Sequence, residues 1–137
     1  MLRKLAALVI LSMFLLPVGC SLASHEAPPE DIDKAAALFF QRFGNEQYDT
    51  IYNDAAKAFR DSQTRQTVTD SLKQMAEQGK IAEFERISMS FQGEGKSRKA
   101  APVYSTSSDR GRAEITLTFK DESGEWKLFG FAHKPRS

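Results

Sequence analysis

The side chains whose type and spacing could form a ligand site are three tyrosines. Tyr48 and Tyr52 lie four residues apart, which places both hydroxyls on one face of a helix. Tyr104 lies in a predicted strand. A tyrosine ring offers apolar surface, and its hydroxyl can orient a ligand through a hydrogen bond. We expect Tyr48, Tyr52 and Tyr104 either to line a cavity or to be core residues whose hydroxyls reach the edge of the domain.

No catalytic residue is predicted beside these tyrosines. His25 lies near the N-terminus and His133 near the C-terminus, and both are expected to be solvated. Asp49 and Asp54 flank the tyrosine pair, but helix geometry turns their carboxylates away from it. No acidic residue interrupts the apolar face of the strand predicted over residues 113–120, where a buried general base with a raised pKa would be found.

The residues predict no metal, no cofactor and no nucleic-acid partner. No His, Cys or Asp cluster has the spacing of metal ligands, and 19 Lys and Arg stand against 18 Asp and Glu. This near-neutral balance gives no electrostatic field that would steer nucleic acid to the protein. One small basic group is expected to be a solvated loop or to contact anionic lipid or lipopolysaccharide phosphate. It comprises Lys96, Arg98, Lys99, Arg110 and Arg112.

An apolar run close to the N-terminus predicts an export signal. Residues 5–16 are apolar apart from Ser12, and Arg3 and Lys4 precede them. As a helix this run would extend about 18 Å, whereas the hydrocarbon core of a bilayer is about 30 Å thick. The run is therefore too short to span comfortably and fits the apolar region of a secretory signal.

The residues that follow, Val18-Gly19-Cys20, resemble the end of a bacterial lipoprotein signal. In such signals the cysteine receives a diacylglyceryl group on its sulfur, becomes the mature N-terminus and is then acylated. The resemblance implies lipid attachment at Cys20 and durable membrane anchorage by two or three acyl chains. Ser21, in place of Asp, favours the periplasmic face of the outer membrane over the inner membrane. The alternative is an ordinary signal that is cleaved after Ala23.

The chain is predicted to contain one globular domain behind this signal. We expect a signal peptide over residues 1–19, a tether over residues 20–30 and a single domain over residues 31–137. The tether is short and proline-containing, so the domain is expected to sit close to the membrane. Because Cys20 is the only cysteine, no disulfide is expected even in an oxidising compartment.

Apolar residues recur at helical spacing in three stretches behind the tether. Gly44 is expected to end the first helix and Gly79 the third, whose start Ser62 or Thr64 could cap. The three stretches run from Ile32 to Phe43, from Tyr48 to Phe59 and from Val68 to Ala76.

After Gly79 the apolar period becomes two, which predicts four strands with turns between them. A change of phase near Glu85–Arg86 predicts a bulge in the first strand, and the Asp121–Gly124 segment predicts a hairpin turn. The strands are expected over residues 87–91, 103–107, 113–120 and 126–132.

The last of these strands is apolar on both faces. Trp126, Leu128 and Gly130 are predicted on one face, and Phe129 and Phe131 on the other. Such a strand is usually central or lies under a helix. Helices followed by an antiparallel meander predict an α+β fold in which the helices cover one face of the sheet.

Two segments resemble the nuclear-transport-factor-2-like superfamily. They are Gly124-Glu125-Trp126-Lys127-Leu128-Phe129-Gly130-Phe131, which is similar to its last strand, and the Phe43–Tyr52 junction between the first two helices. The resemblance implies about three helices packed on a curved antiparallel sheet of about four strands, which forms a cone. Members of the superfamily often pair through the open sheet face, so the resemblance also implies a homodimer. It supports fold more than function.

These observations together lead us to expect a lipid-anchored bacterial envelope protein that binds a small ligand or a protein partner. One alternative is a cone-pocket enzyme that acts on a small molecule. Another is a structural subunit of an envelope complex. A hollow cone with an acid or base at its floor would favour the enzyme, whereas a cone filled with aromatic side chains would favour the binding module.

Overall fold

The computed structural model describes residues 29–136, which form four α-helices followed by a four-stranded antiparallel sheet. The predicted α+β class and the order of helices before strands are thereby confirmed. Cys20, His25 and the predicted signal peptide lie outside the described residues. The helices are α1 (Pro29–Gly44), α2 (Tyr48–Asn53), α3 (Lys57–Ser62) and α4 (Arg65–Ala76). The strands are β1 (Ile81–Gln92), β2 (Lys99–Ser108), β3 (Gly111–Glu122) and β4 (Glu125–Arg136), with a 3-10 turn at Gly95–Ser97.

The stretch predicted as one second helix forms two, α2 and α3, because the chain between them pairs with the sheet. The backbone N–H of Ala56 donates to the carbonyl of Leu128 at 2.8 Å. The N–H of Lys57 donates to the carboxylate of Glu122 at 3.0 Å, which supplies the cap that no local side chain provides for α3. Backbone groups committed to these long-range bonds cannot continue the helix.

Helix α4 begins and ends where the sequence predicts. The hydroxyl of Thr64 accepts a hydrogen bond from the N–H of Thr67 at 3.1 Å, as an N-cap does. Gly79 follows the helix with φ of 123°, and a Cβ at this position would collide with Oγ of Ser108. Glycine is therefore required both by the backbone conformation and by the close approach of strand β2.

The four strands lie in sequence order, so β1 and β4 are the two edges of an open sheet. Burial alternates along β2 and β3, and the helices cover one side. We call this side the inner face and the opposite side the outer face. The buried inner-face residues are Ala100, Pro102, Tyr104 and Thr106 of β2 and Ile115, Leu117 and Phe119 of β3.

A bulge in β4 makes the predicted assignment of its two faces wrong. Thr118 pairs with Gly130 and Phe119 with Leu128, so Phe129 is an extra residue without a partner on β3. As a result Leu128 and Phe131 share the inner face. Strand β4 is an edge strand rather than a central one. The other alternative, that β4 lies under helices, is confirmed. Ala56 donates a hydrogen bond to Leu128 of β4, and the ring of Phe39 lies 6.3 Å from that of Phe131.

The bulge predicted in β1 is confirmed within two residues. The register with β2 shifts between Arg86 and Ser88, and a second shift lies between Ile81 and Glu83. Ile87 is therefore not buried beside Met89, as its spacing predicted, but is 47% exposed. Ile87 is the inserted residue, without a partner on β2, so the alternation that predicts it beside Met89 does not hold there.

Candidate functional site

The centre of the inner face is filled with side chains. Ile115, Leu117 and Phe119 are at most 2% exposed, and Phe39 and Phe43 of α1 are 4% exposed above them. The rings of Phe39 and Phe43 stack at 6.0 Å. Interiors packed in this way leave no room for a ligand. Sites for a ligand must therefore be sought at the ends of this core or on the outer face.

Tyr104 takes part in a polar cluster of the inner face. Its hydroxyl donates to Oδ1 of Asp33 in α1 at 2.9 Å, and Nε of Arg86 in β1 donates to the same oxygen at 2.9 Å. The rings of Phe40 and Phe84 stack at 4.3 Å beside this cluster and meet the ring of Tyr104 edge to face. The cluster therefore joins α1 to the β1 edge of the sheet.

The environment of Tyr104 makes it a fixed hydrogen-bond donor and not a base. The residue is 2% exposed, and burial, followed by its hydrogen bond to the Asp33 carboxylate, raises the pKa of its phenol far above the ordinary value of 10.0. The Asp33 and Arg86 side chains are 41% and 32% exposed, so the other side of the cluster meets solvent.

The other two candidate tyrosines lie in α2. Tyr48 is buried against Phe43, with ring centroids 6.0 Å apart, and burial raises the pKa of its phenol. The hydroxyl of half-buried Tyr52 donates toward the carbonyls of Arg60 and Gln63, at 3.1 and 2.9 Å. Tyr52 thus ties α2 to the end of α3. The role of the three tyrosines in lining a ligand cavity stays a prediction, and each of them has a packing role.

A cavity of about 130 Å³ lies at one end of the inner face, where α4 ends, β2 turns into β3 and β4 finishes. We call it the end cavity. Its apolar walls come from Met75, Ile81, Ile115 and Pro135, and His133 lies among them. Arg110 lies at its mouth and donates from Nη1 to the carbonyl of Glu77 at 2.8 Å. This bond holds the guanidinium over the end of α4.

A second opening, of about 220 Å³, lies beside Trp126 at the β3–β4 end of the core. Leu38 and Ile51 contribute apolar surface to it, and the Arg42–Asp54 ion pair, at 2.7 Å, lies at its rim. Trp126 is held from another side by the guanidinium of Arg98, 5.1 Å from its ring centroid. Because the local charges are already paired, this cleft offers a ligand mainly apolar contact.

The outer face carries small neutral side chains at its centre and charged side chains at three corners. At the corner where β3 begins and β4 ends, these are Arg112, Lys134, Arg136 and Glu114. Lys99, Lys120 and Lys127 pair across β2, β3 and β4 and form a row at one end, which we call the lysine row. Glu83 and Glu85, on β1 near the other end, form the glutamate corner. The centre between them carries Ser88, Ser90, Ala101, Val103, Thr116, Thr118 and Ala132. The basic group predicted from sequence is divided, because Lys99 begins β2 and Arg110 follows its other end.

The sequence does not predict the roles of Asp33 and His133 in these sites. No local pattern connects Asp33 with Tyr104, 71 positions away. His133 was expected to be solvated, yet it is half-buried and borders the end cavity. A signal for it existed, since strand alternation places residue 133 on the same face as Phe131.

Within residues 29–136, no three His, Cys, Asp or Glu side chains lie together as metal ligands would. None of the helices in that range is long and apolar enough to cross a membrane. Comparison of the chain with models of known protein families and with curated protein sequences finds no match. What the protein does must therefore be argued from its sites.

Proposed function

We propose that this protein is a lipid-anchored module of the bacterial envelope that binds a small ligand or a protein partner and does not transform it. The filled inner face carries the proposal, because the centre of the domain holds Phe39, Phe43, Leu117 and Phe119 where a cone-pocket enzyme needs a cavity. The order of elements and the open sheet are compatible with the nuclear-transport-factor-2-like cone, to which we propose this domain belongs.

The polar groups near the core also favour binding over catalysis. Tyr104 is committed to Asp33, and its raised pKa makes it a poor base at neutral pH. His133 borders the end cavity, and within residues 29–136 no carboxylate forms a hydrogen bond with it that could orient or activate it. A site without a paired acid and base can hold a molecule but lacks the means to move its protons.

The lipid anchor is tested by replacing Cys20 with alanine. Because the acyl chains are proposed to be attached through this sulfur, Cys20→Ala should move the protein from the membrane fraction to the soluble or unprocessed fraction. Fractionation of cells followed by intact-mass measurement would detect both the relocation and the missing lipid mass. Ser21→Ala serves as the control and should stay membrane-bound. Cys20→Ala protein that is processed and still membrane-bound would contradict the anchor.

The outer face supports a second candidate function, association with another copy of the chain. A two-fold axis in the plane of this face, perpendicular to the line that joins the two corners, would bring the lysine row of each copy against the glutamate corner of the other. Lys127, which forms an ion pair with Glu125 at 3.0 Å within its own chain, would also approach Glu83. Lys120 would approach Glu85, and the small Ser, Thr and Ala side chains of the centre would meet at close distance. At the third charged corner, Arg136 is paired with Glu114 at 2.7 Å, and Arg112 and Lys134 leave a net positive charge. The complementary charges of the lysine row and the glutamate corner would fix the register of the interface.

Charge reversal tests this homodimer. Lys127→Glu would place a carboxylate against Glu83 and should weaken dimerisation by roughly tenfold or more. Adding Glu83→Lys should restore it, because the pair is then reversed and not removed. Sedimentation equilibrium over a range of concentrations gives the dissociation constants. Lys34→Glu, on the exposed side of α1, is the matched control and should leave dimerisation unchanged. A wild-type protein that stays monomeric at all concentrations would reject the dimer.

A further inference from the structure

We infer that the end cavity binds a small organic carboxylate whose apolar body is about the size of one aromatic ring. The inference rests on the proposed binding function and names its ligand class. It concerns a part of the fold that the sequence reasoning did not single out, the junction of the α4 end, the β2–β3 turn and the end of β4.

The volume of the cavity sets the size of the ligand. The cavity measures about 130 Å³, and an apolar protein cavity of about 150 Å³ is known to accept benzene. The site therefore has room for about six heavy atoms of apolar body, with the polar end of the molecule left at the mouth. A sugar, a nucleotide or a long acyl chain would not fit inside.

The floor of the cavity favours an apolar body, because Ile115 is 1% exposed and Met75 is 7% exposed. Ala113, Ile81 and Pro135 continue this apolar surface toward the opening. Gln78, Thr106 and Ser108 contribute polar surface to the walls. The half-buried ring of His133 adds a flat face and a nitrogen-bound hydrogen. The structure gives no hydrogen-bond partner for that ring within residues 29–136.

The charge around the cavity sets the sign of the polar end. The charged residues that border it are Arg110, Arg112 and Arg136. Because Ala113 and Ile115 face inward, the register turns the side chains of Arg112 and Arg136 toward the outer face, and Arg110 is the cation at the mouth. Arg136 is neutralised in part by Glu114, and the carboxylate of Asp109 lies close to Gly79 at the rim. Arg110 uses Nη1 for the carbonyl of Glu77. A guanidinium has five donor hydrogens, so others remain to bind a carboxylate at the mouth.

Arg110 is positioned for this role by the turn that carries it. The N–H of Arg110 donates to Oγ of Ser108 at 3.2 Å, and that hydroxyl donates to the carbonyl of Gly111 at 3.2 Å. The turn bonds fix the backbone of Arg110, and the bond to Glu77 fixes its guanidinium. A guanidinium held in place in advance loses less entropy when it binds an anion.

Benzoate and its neutral isostere benzamide test the inference on the unmodified protein. Calorimetric titration of the full-length protein in detergent should give a Kd for benzoate of roughly 1 mM, as expected for a ligand of this size. Benzamide should bind at least about tenfold more weakly, because it cannot form the charge-assisted hydrogen bonds to Arg110.

Three variants locate the site. Arg110→Gln keeps a donor for the carbonyl of Glu77 but removes the charge, so it should weaken benzoate binding by roughly tenfold and leave benzamide unaffected. Ala113→Leu should fill the cavity and abolish binding of both probes. Arg60→Gln, an exposed arginine of α3, is the matched control and should change neither.

The outcomes separate this inference from the function on which it rests. If benzamide binds as tightly as benzoate, the cavity takes small ligands but does not select a carboxylate, and only the inference is overturned. If benzoate binds equally well to wild type, Arg110→Gln and Ala113→Leu, it binds elsewhere and the inference is overturned. If neither probe binds, the end cavity is not a ligand site. The binding function itself would fail only if the outer face also formed no complex.

Discussion

Leu117→Ala is expected to lower the free energy of unfolding by about 3 kcal/mol, within the range of about 2–5 kcal/mol seen for buried leucines. Leu117 is fully buried in the middle of the inner face, between Ile115 and Phe119. It pairs with Phe131 across the β3–β4 ladder. Removing its isobutyl group would forfeit the transfer free energy of the lost carbons and leave a cavity, because the surrounding rings are held by two layers of structure. Urea denaturation of both proteins gives the difference directly.

Leu38→Ala is the matched control for this prediction, since it makes the same chemical change at a site that is 44% exposed. Its cost should stay below about 1 kcal/mol. If Leu117→Ala also cost less than about 1 kcal/mol, the inner face would not be tightly packed. The domain could then have a hollow interior after all, and the cone-pocket enzyme would regain its place as the leading alternative.

The features that sequence predicted well are those set by local chemistry. The period of apolar residues gave the helix–strand order, and Thr64 and Gly79 gave the ends of α4, because a cap and a positive φ depend on one or two neighbours. The errors all come from contacts between distant segments. The break between α2 and α3 depends on the bond from Ala56 to Leu128, which no local pattern encodes.

The bulges show why the sites were harder to predict than the fold. An extra residue at Phe129 reverses the phase of β4 for everything on one side of it, so a simple alternation places Phe131 on the wrong face. Asp33 and Tyr104 likewise meet only once the α1 helix has packed across the sheet. A site built from several elements is predicted correctly only if the register of each of those elements is predicted correctly. For this reason the end cavity, which draws on α4, β1, β2, β3 and β4, could not be assembled from the sequence.

The stability of the protein is expected to depend on Tyr104 in a way that changes with pH. At pH 7 Tyr104→Phe should cost about 1 kcal/mol, because one hydrogen bond is lost while Asp33 keeps Arg86 and has access to water. Above pH 10 the unfolded chain loses the phenolic proton, but the folded protein keeps it because the pKa of Tyr104 is raised by burial and by Asp33. Deprotonation then favours the unfolded state, and this one group lowers the wild-type stability by up to about 1.4 kcal/mol per pH unit.

Tyr104→Phe lacks this phenol, so the difference in its free energy of unfolding from wild type should shrink above pH 10 and vanish near pH 11. Urea unfolding at pH 7, 9, 10 and 11 would follow the difference. Phe84→Leu is the control, because it alters the ring cluster beside Tyr104 without removing a titrating group. Its loss of unfolding free energy should stay constant over the same pH range. A constant deficit for Tyr104→Phe as well would mean that its phenol ionises normally in the folded protein. Tyr104 could then act as a base, and its position as a fixed donor between α1 and the sheet would have to be abandoned.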